Sequence, residues 1–316
     1  MSDISFRRGP RPRRGRAVTG ALVVDLLIVG AAVVAGLLVQ AGIGHGTALD
    51  RLRRGPDLRV PYKAVSGDDL RLDIFRARGP RPSAQAPLLL LVHGGGWETG
   101  DSRQFHPQCR IWSARGLDCV TLAYRVRSRH GSTPADALQD LRDAVRHLRR
   151  HHRALGLAMP RLVVGGGSAG GHLAAGLAAP LPWPDPQTDP AAPTRPDAVV
   201  LYNPMLDLSP GMPDHAPVAT HWQALSPMHQ LRAGGPPTLV MSGDRDPEVA
   251  VATVERYVAR LRTLGVPARA VIYPGAVHGF FNPGAWPWGP RQAGFEATTD
   301  EVWRFLAEQG WVPAGG

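Results

Sequence analysis

The chain has 316 residues, 43% hydrophobic and 20% charged, enough for one large domain with an appendage and too apolar for wholesale disorder. Two cysteines exclude a disulfide-built miniature domain. The net charge of +10 is no nucleic-acid footprint: residues 1–54 hold nine arginines against three aspartates, and the rest carries little net charge with no run of like sign.

The N-terminus reads as a membrane-targeting segment. Arg7, Arg8, Arg11, Arg13, Arg14 and Arg16 precede an apolar run from Ala21 to Val39, broken only by Asp25. Nineteen residues at 1.5 Å each reach roughly 28 Å, about the hydrocarbon thickness of a bilayer. Arginine before the run outnumbers the Arg51, Arg53 and Arg54 cluster after it, which sets the N-terminus in the cytoplasm and the bulk of the chain outside. Two outcomes stay open: an uncleaved signal-anchor, or a signal peptide removed near Val39-Gln40-Ala41. The division expected is a basic tail at 1–16, the membrane segment at 17–41, a linker at 42–57 and one catalytic domain at 58–316.

Beyond the linker, strands and helices alternate. Arg59–Val65 and Leu70–Phe75 are short strands around the turn Ser66-Gly67-Asp68-Asp69. Leu88–Val92 is a continuous apolar run, the mark of a strand buried on both faces, and Val120–Tyr124, Leu162–Val164, Ala198–Tyr202, Thr238–Met241 and Ala270–Tyr273 share its character. Helical patterns cover Pro134–His152, 169–179, Val249–Leu264 and Gln292–Glu308. Seven prolines from Pro180 to Pro196 make that stretch an irregular loop, and Pro204–Gly235 is read as loops or short helices. The alternation implies an α/β fold with a mostly parallel central sheet and helices on both faces.

Three motifs carry chemistry. Gly166-Gly167-Ser168-Ala169-Gly170 is a G-x-S-x-G directly after a strand and before a helix, a sharp turn that exposes the Ser168 hydroxyl at a helix N-terminus. A phosphate loop would need a lysine that is absent here. His93-Gly94-Gly95-Gly96-Trp97 ends an apolar strand, and its glycine N–H groups can face a developing oxyanion; Gly95 and Gly96 are the expected donors, with the N–H of Ala169. The strand Thr238–Met241 runs into Asp244 and Asp246, and Ala270–Tyr273 into His278. Both lie past strand ends, where open sheets bind ligands. The order Ser168, Asp246, His278 is nucleophile, acid, base, with Asp244 the rival acid. Among twelve histidines, His147, His151 and His152 read as a solvated helix face with no carboxylate or cysteine at metal-ligand spacing; His172 packs within its helix, and His93 shapes the glycine loop. Cys109 and Cys119 are read as two buried thiols, although an oxidising compartment would allow a bridge.

These segments, with Gly100-Asp101, Gly171-His172-Leu173, Leu70–Phe75 and Ala123-Tyr124-Arg125, resemble α/β-hydrolase esterases. The chain looks like bacterial feruloyl/acetyl-xylan esterase-like enzymes and hormone-sensitive-lipase-like carboxylesterases over about 58–309. The resemblance implies the α/β-hydrolase fold, the triad and the esterase class; the reading made here is a serine esterase with no cofactor or metal, acting on small acyl esters. The same scaffold also serves amidases such as kynurenine formamidase and some peptidases, the alternative activity. A catalytically dead binding module is the third reading, which labelling with a fluorophosphonate probe would separate. The Pro-rich stretch and the membrane segment depart from the family pattern.

Overall fold

The computed structural model describes residues 55–65, 67–179, 182–284 and 293–315. Eight strands form one sheet: β1 (Leu58–Val65), β2 (Asp68–Phe75), β3 (Leu88–Val92), β4 (Cys119–Leu122), β5 (Leu162–Gly167), β6 (Ala198–Tyr202), β7 (Thr238–Gly243) and β8 (Ala268–Tyr273). Their order is β1-β2-β4-β3-β5-β6-β7-β8. β1 and β2 pair antiparallel, as do β2 and β4; the six strands from β4 to β8 run parallel. The expected turn at 66–69 is shorter, because Val65 pairs with Asp68 and β2 starts two residues earlier.

The unbroken apolar runs have the cause expected of them. Leu88, Leu90 and Val92 enter one core cluster, while Leu89 and Leu91 enter another on the opposite face. Helices α2 (Pro134–His151), α3 (Ala169–Ala178) and α4 (Val251–Thr263) supply Leu138, Leu141, Leu173 and Val254 to the first cluster. Helices α1 (His106–Ala114) and α5 (Ala293–Glu308) supply Cys109, Trp112, Val302 and Leu306 to the second. Thr133 caps α2 in a reciprocal capping box with Asp136, and Pro134 occupies the first turn, where its missing N–H costs nothing.

Three sequence readings change. Helix α1 and the 3₁₀ turn Ser102–Phe105 before it fill a span that the helical patterns of the sequence do not cover. Cys109 and Cys119 form a disulfide instead of remaining free thiols, tying α1 to the start of β4. The helix face read as solvated is only partly so: His151 is exposed, but His147 and His152 are half-buried. Arg142 and Arg146 are buried, and with Arg149 and Arg150 they hold the Pro-rich loop: Arg142 donates to the carbonyls of Trp183 and Pro184 at 3.2 and 3.1 Å, and Arg146 pairs with Asp185. Arg149 donates to Pro193 and Arg195 carbonyls, and Arg150 pairs with Asp189. A segment without secondary structure is thereby fixed by charged hydrogen bonds to its backbone.

Among the described residues no helix is long and apolar enough to cross a membrane. The arginine tail and the apolar run Ala21–Val39 lie outside the described residues.

Candidate active site

The elbow sits where β5 meets α3. Ser168 has φ 53° and ψ −120°, a strained conformation for a residue with a side chain, and it is the N-cap of α3. Packing enforces the strain. A Cβ placed on Gly170 would lie 2.1 Å from the Val92 carbonyl oxygen, so the helix start and the end of β3 touch backbone to backbone. The Ser168 N–H donates to the Tyr202 carbonyl at 2.9 Å, binding the elbow to β6 as well.

The glycine loop after β3 folds against this elbow. A Cβ on Gly94 would come within 3.3 Å of the Ser168 Cβ, which places the loop beside the serine. Gly95 takes φ 110°, and its carbonyl receives the N–H groups of Glu98 and Thr99. The Gly94 N–H is already used, donating to the Gln104 side chain at 2.7 Å. The Gly95, Gly96 and Ala169 N–H groups have no acceptor among the described residues.

His93 does not face the reaction. Its ring stacks on Tyr124 at 4.1 Å and donates Nδ1–H to the Gly94 carbonyl at 2.8 Å; burial lowers its pKa to about 4. His172 is likewise buried and lowered to about 4, its Nε2–H donated to the Leu225 carbonyl. It ties α3 to the excursion between β6 and β7. Asp73 anchors the other end of the loop: it accepts from Ser102 Oγ at 2.7 Å and His106 Nε2 at 2.9 Å and pairs with Arg59. Burial opposes its charge, but these partners win and hold the carboxyl well below the usual range.

Beyond β7 and β8 lie Asp246 and His278, the acid and base expected from the sequence. Asp246, its side chain buried, accepts the N–H groups of Glu248 and Val249 at 2.8 and 2.9 Å. Its carboxylate receives His278 Nδ1–H at 2.9 Å. Asp244 faces elsewhere and accepts the Gly275 N–H at 2.6 Å. On its other side, His278 Nε2 lies 3.3 Å from Glu248 Oε2 and 3.4 Å from Asn203 Nδ2; no hydrogen bond joins it to Ser168. Burial lowers the basicity of His278, but Asp246, Glu248 and Asp214 outweigh it and raise the pKa above the usual 6.5. Asp214, through burial and the nearby Glu248 charge, is raised to about 6.

Two further groups surround His278 that no motif in the sequence marks. Asn203 is wholly buried at φ 34°, just past β6, and its Oδ1 accepts the Gly279 N–H, orienting the turn that bears His278. Glu248 follows Asp246 by two positions, a spacing that marks a turn and says nothing of direction. Among the described residues no group of three or more His, Cys, Asp or Glu could hold a metal ion.

A family model described as BD-FAE matches residues 72–181, and that of the prolyl oligopeptidase family matches residues 202–287. The chain is 30% identical over 242 residues to the esterase LipQ of Mycobacterium tuberculosis, covering 70% of this chain and 56% of that protein. It is 31% identical to the probable carboxylic ester hydrolase LipM of the same organism, over 64% of this chain and 50% of that one. The chain thus spans about half the length of these curated relatives. Among solved structures, the apo form of Thermogutta terrifontis esterase 2 superposes with a TM-score of 0.73 at 32% identity, over 83% of this chain and 97% of that one. The propionate-bound form of that esterase gives 0.73 and 32%.

Proposed function

The chain belongs to the α/β-hydrolase esterases, and on that premise we propose that it hydrolyses carboxylic esters of small acyl groups through a Ser168-His278-Asp246 triad. His278 Nε2 takes the Ser168 Oγ proton as the oxygen attacks the ester carbonyl. The tetrahedral oxyanion accepts the N–H groups of Gly95, Gly96 and Ala169. His278 then gives its proton to the departing alcohol, and water, deprotonated by the same ring, releases the acid. Asp246 holds Nδ1–H throughout, fixing the tautomer that leaves Nε2 free to accept.

The observation that carries this reading is the pairing of a strained elbow serine with a histidine held at 2.9 Å by a buried, three-donor carboxylate. In the resting geometry Nε2 faces Glu248, and the bond to Ser168 forms on substrate binding, as catalytic hydrogen bonds tighten in complexes. p-Nitrophenyl acetate turnover and fluorophosphonate labelling, each lost in Ser168→Ala with folding kept, test it; full activity in that variant overturns the triad. The match of the prolyl oligopeptidase family model to the acid–base segment favours a second reading, amidase or peptidase activity, which a matched ester and amide panel decides.

We also propose that residues 58–316 form the catalytic domain and lie outside the cytoplasm, the apolar run anchoring the chain or being cleaved after export. The arginine bias at the N-terminus supports the orientation. The Cys109–Cys119 bridge suits an oxidising compartment. Protease added to spheroplasts should digest the hydrolase domain, and protection of that domain would reverse the orientation.

A further inference from the structure

A cavity of about 310 Å³ lies at the opposite edge of the sheet from the elbow. Its walls include Thr238, the first residue of β7, the last turn of α3, and Tyr257 and Leu261 of α4. β5, β6 and β7 run parallel and Ser168 follows the end of β5, so the start of β7 stands at the far ends of the strands. The ten residues of α3, about 15 Å at 1.5 Å each, separate the cavity from Ser168. It is no part of the site described above.

Three arginines reach it from three separate segments: Arg142 from α2, Arg195 from the Pro-rich loop and Arg232 from the stretch before β7. Among the described residues none of the three has an ion-pair partner. Arg142 is buried, and its Nη1 donates to the Trp183 and Pro184 carbonyls, which leaves Nε and Nη2 without an acceptor. Burial lowers its pKa from the usual guanidinium value, and the nearby Asp185 charge does not make up the difference. Asp185 is the one carboxylate among the described residues of the wall, and it is already paired with Arg146. Arg195 donates Nη2–H to the Gly234 carbonyl, and the Arg232 side chain is exposed. A buried guanidinium held by neutral carbonyls keeps its full charge in a poorly solvated place, and an anion in the cavity would offset that cost.

We infer that this cavity is a second ligand site, for a phosphate monoester on a small apolar body. The charge selects the head. Three guanidinium groups against one carboxylate already in use suit a dianion, and a tetrahedral phosphate offers oxygens to donors from three sides, where a planar carboxylate serves one fork. Leu231, Tyr257 and Leu261 give the rest of the wall an apolar character. The volume, at the low end of the roughly 300–1,000 Å³ of ligand sites, keeps the body small. The site stands apart from the esterase reading. It also gives the Pro-rich loop a role: that loop brings Asp185 and Arg195 to the cavity, and Arg142 and Arg146 of α2 fix it there.

The test is calorimetric titration of the full-length chain with phenyl phosphate, inorganic phosphate, benzoate and phenol at about pH 8, where the monoester is dianionic. Phenyl phosphate should bind about tenfold more tightly than inorganic phosphate, through burial of the ring, and about tenfold more tightly than the monoanion benzoate. Phenol should give no heat. Arg232→Gln removes a side chain with no partner among the described residues. It should weaken phenyl phosphate about threefold, the screened effect of an exposed charge, with Tm unchanged. Arg142→Gln should weaken it about tenfold. If Arg142→Gln also loosens the Pro-rich loop, Arg232→Gln decides. No heat with phenyl phosphate, benzoate bound as tightly, or an affinity that ignores Arg232→Gln would overturn the site. So would competitive inhibition of p-nitrophenyl acetate turnover at the calorimetric Kd, which puts the anion at Ser168. A chain that cleaves no ester but binds phenyl phosphate in this pattern loses the esterase reading and keeps the site.

Discussion

The two halves of the site are held by different forces. On the β3–β5 side the elbow itself is held by backbone packing: β3 and β5 are buried along their whole length, and Gly170 touches the Val92 carbonyl with no room for a Cβ. On the β7–β8 side, β8 is half-exposed throughout, and His278 is held by side-chain charges from Asp246, Glu248 and Asp214. A steric device is insensitive to pH and intolerant of added atoms. An electrostatic one tolerates atoms and answers to pH. On the proposed mechanism the nucleophile Ser168 is therefore preorganised with its neighbouring N–H groups, while the base His278 is tuned by charge.

Perturbing each half in turn tests that contrast. Ser168→Ala removes the nucleophile and should lower kcat on the order of 10⁶-fold with an unchanged melting curve; a residual rate within tenfold of wild type would refute the elbow's role. On the other side, Asp246→Asn should cost on the order of 10⁴ in kcat, because the tautomer of His278 is no longer fixed. Asp244→Asn should cost far less, since Asp244 only holds the Gly275 N–H. If the Asp244 variant proves the more damaging, the two must exchange roles. Gly170→Ala should show the opposite signature. Its Cβ would meet a backbone oxygen at 2.1 Å, so the protein should lose about 3 kcal/mol and its Tm fall on the order of 8 °C. A Gly170→Ala protein with wild-type Tm would show that the elbow is looser than its packing implies.

The same contrast separates what could be read in the sequence from what could not. β3 and β6 fall where their apolar runs are, because strands covered on both faces leave an unbroken signature over their full length. β5 runs three residues past Val164 because Gly165–Gly167 continue it without side chains, and no hydrophobic count registers glycine. Phe105, Cys109 and Trp112 are spaced for a helix stripe, but α1 starts with no capping side chain, so no cap marks its start. The disulfide depends on Cα atoms 5.2 Å apart, a separation set by how α1 docks beside β4 and invisible in a spacing of ten residues. The clasp on the Pro-rich loop needs contacts across some forty residues, as from Arg142 to Trp183. Chemistry carried by one short segment was legible. Contacts that depend on how distant segments return to each other were not.

The smallest expected effect tests the electrostatic half most directly. His278 must be neutral at Nε2 to take a proton, so kcat/KM falls as pH drops through its pKa. The carboxylates facing it are Asp246 on Nδ1, Glu248 at 3.3 Å from Nε2, and Asp214 behind; together they hold that pKa above 6.5. Their charge favours the imidazolium, so the acid limb of the rate profile should lie above the ordinary imidazole range. Glu248→Gln removes one of these charges and must shift the limb to lower pH. Glu248 is half-exposed and solvent screens it, so the shift should be small. The same variant should leave kcat at high pH nearly unchanged, since Nε2 is neutral there in both proteins. A limb that moves upward, or a loss of kcat on the alkaline plateau, would mean that Glu248 does more than bias the charge of the ring.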